Sequence, residues 1–514
     1  MPTSPPLHRD ATAPAPLSGR AAAAVLAVIL LAAFMELLDA TIVSVAAAAI
    51  AADLHAGEAA LQWIVAGYTL AVGAGLITGG RIGDQFGRRR VFLLGLAAFL
   101  LASAGCGLAP DPGALIGMRV AQGLGGGLMI PQVFGIIRAS FEPGARARAL
   151  GAYGAVLGLA SVAGPLLGGV LVEADLLGLG WRAIFWVNVP IAVIGLIVGA
   201  RFMPESRAPG GARLDLPGAA LAATAAVLLL LPLVQGREWG WPWWGFALLA
   251  LVVPVTALFL VRERRLAAAG GQPILDPALL RVRAFAGGLL ASLLFFGALG
   301  SYFLLLSLYL QLGTARTALD TGLVILPYAI GSIITSGIGV QLAHRVGRAL
   351  LVSGALVLAA SQLVLLLVVR AGADPSYWAL AAPLFLGGLG LGLTAPSLIN
   401  VVLAGVPAKD AGASGGVLTT VTQIGNALGV AVLGIVFFTR LEDSMAGGAP
   451  SRIAYGDALT TILPWQATCY IAAAALMFLL PKRANAPQTC APAHNRTNVP
   501  DDHDPGTEET GPSR

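Results

Sequence analysis

The chain has 514 residues, 57% of them hydrophobic and 11% charged, with a mean hydropathy of +0.82 and a formal net charge of +5. Soluble domains carry roughly 25% charged residues, so this composition excludes a soluble globular protein and points to a polytopic membrane protein. The positive charge gives no sign of nucleic-acid binding, because the arginines are scattered over loops instead of forming a stripe with stacking aromatics.

Residues 1–20 form a short Pro-rich tail. Apolar runs then follow at 21–48, 61–80, 91–109, 113–137, 148–172, 183–200, 217–235, 243–261, 285–311, 321–342, 349–369, 377–403, 412–438 and 461–480, fourteen in all. At 1.5 Å per residue about 20 residues cross ~30 Å of hydrocarbon, so each run is predicted to be a membrane helix. The first run is too long, and too interrupted by Glu36 and Asp39, for a cleaved signal peptide. Residues 483–514, rich in Pro, Asn, Asp, Thr and Glu, read as a disordered tail. Within it, Asp501, Asp502, His503 and Asp504 read as a solvated charge run and not as a metal site.

Assigning the breaks alternately to two sides gives one side Arg81, Arg88, Arg89, Arg90, Arg138, Arg146, Arg148, Arg201, Arg207, Arg213, Arg262, Arg264, Arg265, Arg281, Arg283, Arg345, Arg348 and Lys409. The other side receives Arg182, Arg237, Arg316, Arg370, Arg440 and Arg452. The richer side is expected to be cytoplasmic, and an even number of spans leaves both tails there. The nine tryptophans fall at or near the opposite ends of the spans, where such rings anchor at headgroups. Cys106, Cys469 and Cys490 have no paired spacing and indicate neither a disulfide framework nor zinc.

Span one carries Glu36 and Asp39, one turn apart. A charge near mid-membrane costs about 2.5–3.5 kcal/mol, so an acid there is a functional candidate by default. Span one runs outward and span four inward, which sets Asp39 and Arg119 in the same outer half, within about one or two turns in depth. A neighbouring cation favours an ionised carboxylate, and loss of water favours a protonated one. Asp39 and Arg119 are therefore candidates for coupling proton entry to another event, with a static buried ion pair as the alternative. Glu36 is a candidate second titratable group or contact for a cationic substrate.

After span two comes Gly80-Arg81-Ile82-Gly83-Asp84-Gln85-Phe86-Gly87-Arg88-Arg89-Arg90. Its glycines permit tight turning, Asp84 can pair with Arg88 at i,i+4, and the arginines fix orientation. Span five spaces Gly151, Gly154, Gly158, Gly164, Gly168 and Gly169 along its length, with Pro165 interrupting its backbone ladder. Small faces let helices approach closely and a proline lets one bend. Gln62, Asn188, Gln311, Asn400, Gln423 and Asn426 are candidate cavity-lining groups or interhelical hydrogen-bond formers.

Two echoes divide the chain. Gly87-Arg88 matches Gly347-Arg348 at an offset of 260, and Gly123-Leu124-Gly125-Gly126-Gly127 with Pro131 matches Gly388-Leu389-Gly390-Leu391-Gly392 with Pro396 at 265. Two six-helix bundles, 21–202 and 285–482, related by an axis along the membrane normal would produce both. Residues 203–284 then hold spans seven and eight as an inserted hairpin.

Taken together, Leu38-Asp39-x-Thr41-Ile42-Val43, the Gly80–Arg90 loop, Arg119-x-x-Gln122-Gly123 and Gly164-Pro165-x-x-Gly168-Gly169 resemble the major facilitator superfamily, and within it the fourteen-span drug:proton antiporter branch. Trp181-Arg182-x-x-Phe185-x-x-Asn188-x-Pro190 and Ser414-Gly415 with Gln423-x-Gly425 extend the likeness to nearly the whole chain. The resemblance implies an all-α transporter fold. It also implies a cytoplasmic gate at Gly80, Gly83, Asp84, Gly87, Arg88 and Arg89, and a seal against leak at Gly158, Gly164, Pro165, Gly168 and Gly169. Its expected function is export of hydrophobic or cationic drug-like compounds or antibiotics against proton entry, by alternating access. A dedicated exporter of one natural product, and an uptake symporter, are the alternatives.

The chain lacks a Gly-x-x-x-x-Gly-Lys-Ser/Thr phosphate loop, so ATP is not implied. An enzyme would need a cluster of catalytic carboxylates, His or Cys, and the sequence offers none. The expected partners are a small-molecule substrate, protons and the bilayer, with no cofactor, metal or nucleic acid, and a monomer in the inner (plasma) membrane.

Overall fold

Hydrocarbon offers no partner to backbone N–H and C=O groups, and a helix pairs them internally. The computed structural model is accordingly built of helices, with no strand among the described residues, 17–207, 215–271, 273–372, 374–403 and 411–481. The helices are α1 (Gly19–Leu54), α2 (Glu58–Phe86), α3 (Arg88–Gly107), α4 (Pro112–Ser140), α5 (Pro143–Glu173), α6 (Ala183–Trp186), α7 (Asn188–Phe202), α8 (Leu216–Gln235), α9 (Trp243–Ala268), α10 (Arg283–Leu308), α11 (Ala318–Val346), α12 (Arg348–Ala371), α13 (Tyr377–Leu403), α14 (Ala411–Ala446) and α15 (Ser451–Met477). A π-helical turn, Tyr309–Gly313, extends α10.

Among the described residues thirteen helical stretches are long and apolar enough to cross a membrane, with α6 and α7 forming one of them. The remaining run of the expected fourteen corresponds to α5, a 31-residue helix whose described apolar part is Ala163–Glu173. Several helices overrun their apolar segments. α14 continues to Ala446, beyond the predicted end at 438, because hydrogen bonding within a helix need not stop where hydrocarbon does.

The same pairing of helices occurs twice. α2 packs on α4, α3 on α4, α1 on α5, and α7 on both α1 and α3; equivalently α11 packs on α13, α12 on α13, α10 on α14, and α15 on both α10 and α12. Small residues set the closeness: the Gly75 and Gly127 backbones touch between α2 and α4, and Gly95 meets the Gly125 carbonyl between α3 and α4.

Among the described residues the two sets meet along two main seams. There Gly169 lies against the Ala318 and Leu319 backbone and Gly322 against Pro165, joining α5 to α11. Thr420 Oγ1 donates to the Gly73 carbonyl at 3.2 Å, and Gly434 abuts Gln62, joining α14 to α2. A Cβ added at Gly151 of α5, Gly337 of α11 or Gly416 of α14 would stand in open space.

The α8–α9 pair spans this junction. α8 contacts both α2 and α14, and in the connection after it Arg237 pairs with Glu58 of α2 and with Glu442 of α14. The neighbouring Glu238 accepts from the Ala59 N–H at 3.3 Å. At the other end Asp215 caps α8, accepting from the Gly218 N–H at 3.0 Å and from Arg262 at 2.6 Å. Burial opposes the Asp215 charge, but the bonds with Arg262, the Gly218 N–H and the neighbouring Glu263 carboxyl outweigh it and hold this carboxyl below the ordinary carboxylate range.

Candidate functional site

Asp39 is fully buried in α1, and Arg119, 1% exposed, comes to it from α4. α4 starts where Asp111 accepts from the Ala114 N–H at 2.9 Å with Pro112 in the first turn, which sets Arg119 two turns into the helix. Arg119 Nη1 forms an ion pair with Asp39 Oδ2. The same nitrogen donates to Gln122 Oε1 at 2.8 Å, while Nε donates to the Ile64 carbonyl of α2 at 3.1 Å. The guanidinium lies 4.0 Å from the centre of the Tyr68 ring.

The second Asp39 oxygen is also occupied. Gln122 Nε2 donates to Oδ1 at 2.9 Å and Asn188 Nδ2 at 3.0 Å. Asn188 in turn reaches Ser103 Oγ at 3.1 Å, whose hydroxyl donates to the Phe185 carbonyl at 2.9 Å. Asp39 is thus held by three donors from α4 and α7, one of them a cation. These bonds tie the position of α1 at Asp39 to those of α4 and α7.

Glu36 lies on the same face of α1, one turn nearer the arginine-rich side. It is partly exposed and has no ion pair among the described residues. Tyr68 OH donates to its backbone carbonyl at 3.2 Å, so the ring that covers Arg119 also touches the Glu36 turn.

The Gly80–Arg90 segment forms the end of α2 and the start of α3. Arg88 pairs with Asp84 at 2.7 Å and reaches the Gly135 carbonyl at 3.5 Å. Gly83 lies directly against Gln132, whose Nε2 donates to the Gly79 carbonyl at 2.7 Å, and Gly80 faces Pro131. At Gly87 φ is +112°, a conformation that side chains disfavour, and Glu205 occupies the space where a Cβ would stand. Glu205 accepts from the Arg89 N–H at 3.1 Å, and Arg89 bonds the Ala200 carbonyl. Sequence reasoning missed Glu205 because its partners lie more than a hundred residues away.

The span-five glycines divide between two neighbours. Gly164 and Gly168 face Thr41 and Ile42 of α1, whereas Pro165 and Gly169 face α11. Gly158 also lies in α5, and its surroundings are outside the described residues.

The six polar candidates do not form one group. Asn188 is fully buried on Asp39. Gln62 is 4% exposed in the α2–α14 seam, and Gln311, on the π turn, donates to the Val45 carbonyl at 2.8 Å across the other seam. Gln423 and Asn426 are partly exposed on α14 and bond each other at 3.2 Å. The side chain of Asn400 lies outside the described residues, as do those of His344 and Arg345 and the run Asp501–Asp504.

Gln122 and Ser103 are the additional polar contacts. Gln122 was legible as the i+3 neighbour of Arg119 on one helical face; Ser103 gave no signal. The corresponding interior of the second set is neutral. Tyr302, Tyr328, Tyr470, Gln362 and Gln466 fill it, and no charged side chain is buried there among the described residues.

The sequence matches the family described as Major Facilitator Superfamily over residues 29–430. It is 40% identical to the probable actinorhodin transporter of Streptomyces coelicolor, covering 88% of this chain and 79% of that one. It is 35% identical to the cephamycin export protein of Amycolatopsis lactamdurans, over 88% and 91% of the two chains, and 35% identical to the tetracenomycin C resistance and export protein of Streptomyces glaucescens, over 80% and 74%. In three dimensions it is similar to an auto-inhibited peptide transporter of the POT family, with a TM-score of 0.64 at 16% identity over 89% of this chain and 96% of the other. A bacterial homologue of the lysosomal transporter Spinster superposes with a TM-score of 0.61 at 17% identity, over 90% and 97%.

Proposed function

The chain belongs to the major facilitator superfamily, and we propose that it is a proton-coupled exporter of antibiotic-type compounds. Export is supported by relatives named for the transport of actinorhodin, cephamycin and tetracenomycin C. Proton coupling rests on one observation above all, the fully buried Asp39 held by Arg119, Gln122 and Asn188.

In this reading the arginine-rich side and both termini are cytoplasmic, residues 21–202 and 285–482 are the two moving bundles, and 203–284 is the hairpin between them. The protein works as a monomer in the plasma membrane. The α5–α11 contacts and the Gln62–Gly434 contact lie toward the outer ends of their helices, which supports reading this as the inward-facing state. Protonation of Asp39 from outside releases one of its donors. Return to the inward-facing state restores the three donors and expels the proton toward Glu36, which passes it to the cytoplasm. Cargo rides the opposite way between the bundles, near Gln423 and Asn426.

That several relatives are each named for one compound favours a dedicated natural-product exporter over a broad multidrug pump. The test uses everted membrane vesicles with a preformed acid-inside gradient. Adding an exported member of an antibiotic panel dissipates the gradient with wild-type protein. If no compound does so, and whole cells instead accumulate one of them, the assignment reverses to uptake.

A further inference from the structure

The positive-inside rule makes arginine scarce on the outer side, and only six arginines fall there by the alternation of breaks. Two of them have settled partners far from one another: Arg182 with Asp53 and Trp181, and Arg237 with Glu58 and Glu442. The other four, Arg316, Arg370, Arg440 and Arg452, converge on the outer end of the second bundle, where α12 and α14 end and α11 and α15 begin. Two carboxylates oppose them. Asp374 lies 2.6 Å from Arg452 and 3.7 Å from Arg316, and Asp457 lies 3.7 Å from Arg440. Arg370 has no ion pair among the described residues, which leaves two cations in excess.

A cavity of about 370 Å³ opens there, lined by Tyr309, Arg370, Arg440, Arg452, Asp457 and Thr460 among others. Tyr309, 1% exposed and carried on the π turn, presents a buried hydroxyl with no hydrogen-bond partner. The Arg316 Nε–H beside it is likewise buried and unpaired. The vacant capacity is weighted toward donors under surplus positive charge, which is the complement of an oxyanion. A π turn inserted in a membrane helix is itself a frequent mark of a functional site.

We propose that this pocket binds an oxyanion, a carboxylate, sulfate or phosphate group, at the outer face of the second bundle. The binding stands independently of the direction of transport. The ligand is either a free inorganic ion or the acidic end of a larger organic molecule.

The test is calorimetry on the full chain in phosphatidylcholine nanodiscs, titrated with sodium sulfate, phosphate or benzoate at constant ionic strength. Saturable binding is expected, weakened about tenfold by Arg370→Gln and by Tyr309→Phe, as loss of one charge-assisted bond predicts. Arg182→Gln leaves it unchanged. Tyr309→Phe keeps the thermal stability of the parent, because the hydroxyl it removes has no partner. Preference for sulfate or phosphate identifies an inorganic ion, and preference for benzoate an organic acid; either supports the site. Absence of saturation with all three, equal binding by both variants and the parent, or a signal that requires phosphatidylglycerol and no soluble ion overturns it.

Discussion

Replacing Asp39 with asparagine separates a coupling acid from a structural ion pair, provided Arg119 is changed as well. The carboxylate now receives Arg119 Nη1, Gln122 Nε2 and Asn188 Nδ2. An asparagine offers one oxygen and turns an NH₂ toward a site crowded with donors, so at least one of the three loses its acceptor. Arg119, 1% exposed, also loses its ion-pair partner. Breaking a buried pair from one side costs about 3–5 kcal/mol, a large part of the ~5–15 kcal/mol that holds a typical protein folded. Asp39→Asn is therefore expected to lower thermal stability and abolish coupled transport together. Combining it with Arg119→Gln removes the stranded charge, and stability is expected to return to within about 1–2 kcal/mol of wild type. Transport is not expected to return. Thermal unfolding of purified protein and gradient dissipation in everted vesicles read the two quantities separately. Recovery of uphill transport in the double variant, or its persistence in Asp39→Asn alone, refutes the assignment of Asp39 as the coupling acid.

Three further outcomes follow from other parts of the molecule. Gly169→Leu must fit a side chain whose first carbon would stand 2.8 Å from Leu319 Cα; overpacking of this kind costs about 1–3 kcal/mol, and spin labels on the outer ends of α5 and α11 are expected to move apart, an unchanged distance being contrary evidence. Arg237→Gln removes two partly exposed ion pairs that tie the hairpin to α2 and α14, each contributing ~0.2–1 kcal/mol; the outward-open population measured by the same labels is expected to rise a few-fold, and an unchanged population counts against this role. The Asp215 carboxyl titrates below its ordinary value in the folded protein, so its bonds to Arg262 and Gly218 are fully present above the ordinary carboxylate value and are lost as the pH falls through the lowered one. Thermal unfolding between about pH 6 and about pH 3 is expected to show a loss of stability at the acid end that is smaller in Asp215→Asn, and parallel profiles count against this.

Much of the Asp39 site could be read from the chain. Asp39 stood out because mid-membrane charge is costly, and opposite running directions of two spans sufficed to bring Arg119 to its depth. The loop pair Asp84–Arg88 followed from i,i+4 spacing alone. The rotation of each helix about its own axis was not legible. Spans apolar on all sides have no one-sided pattern to fix which residues face a neighbour, so the sequence leaves Asn188, Gln62 and Gln311 open as cavity-lining or interhelical hydrogen-bonding groups. In the structure Asn188 and Gln311 make interhelical hydrogen bonds, and Gln62 packs between α2 and α14. Glu205 escaped notice because a loop carboxylate acquires meaning only from the Gly87 backbone folded against it.

Among the described residues, every group hydrogen-bonded to the Asp39–Arg119 pair belongs to a helix that ends before residue 203, and the matching interior of the other half is uncharged tyrosine and glutamine. The charged cluster is therefore completed within one stretch of the gene. Point changes or recombination in the other half leave each of these contacts in place, and a chimera joined within the intervening hairpin would carry the cluster over whole.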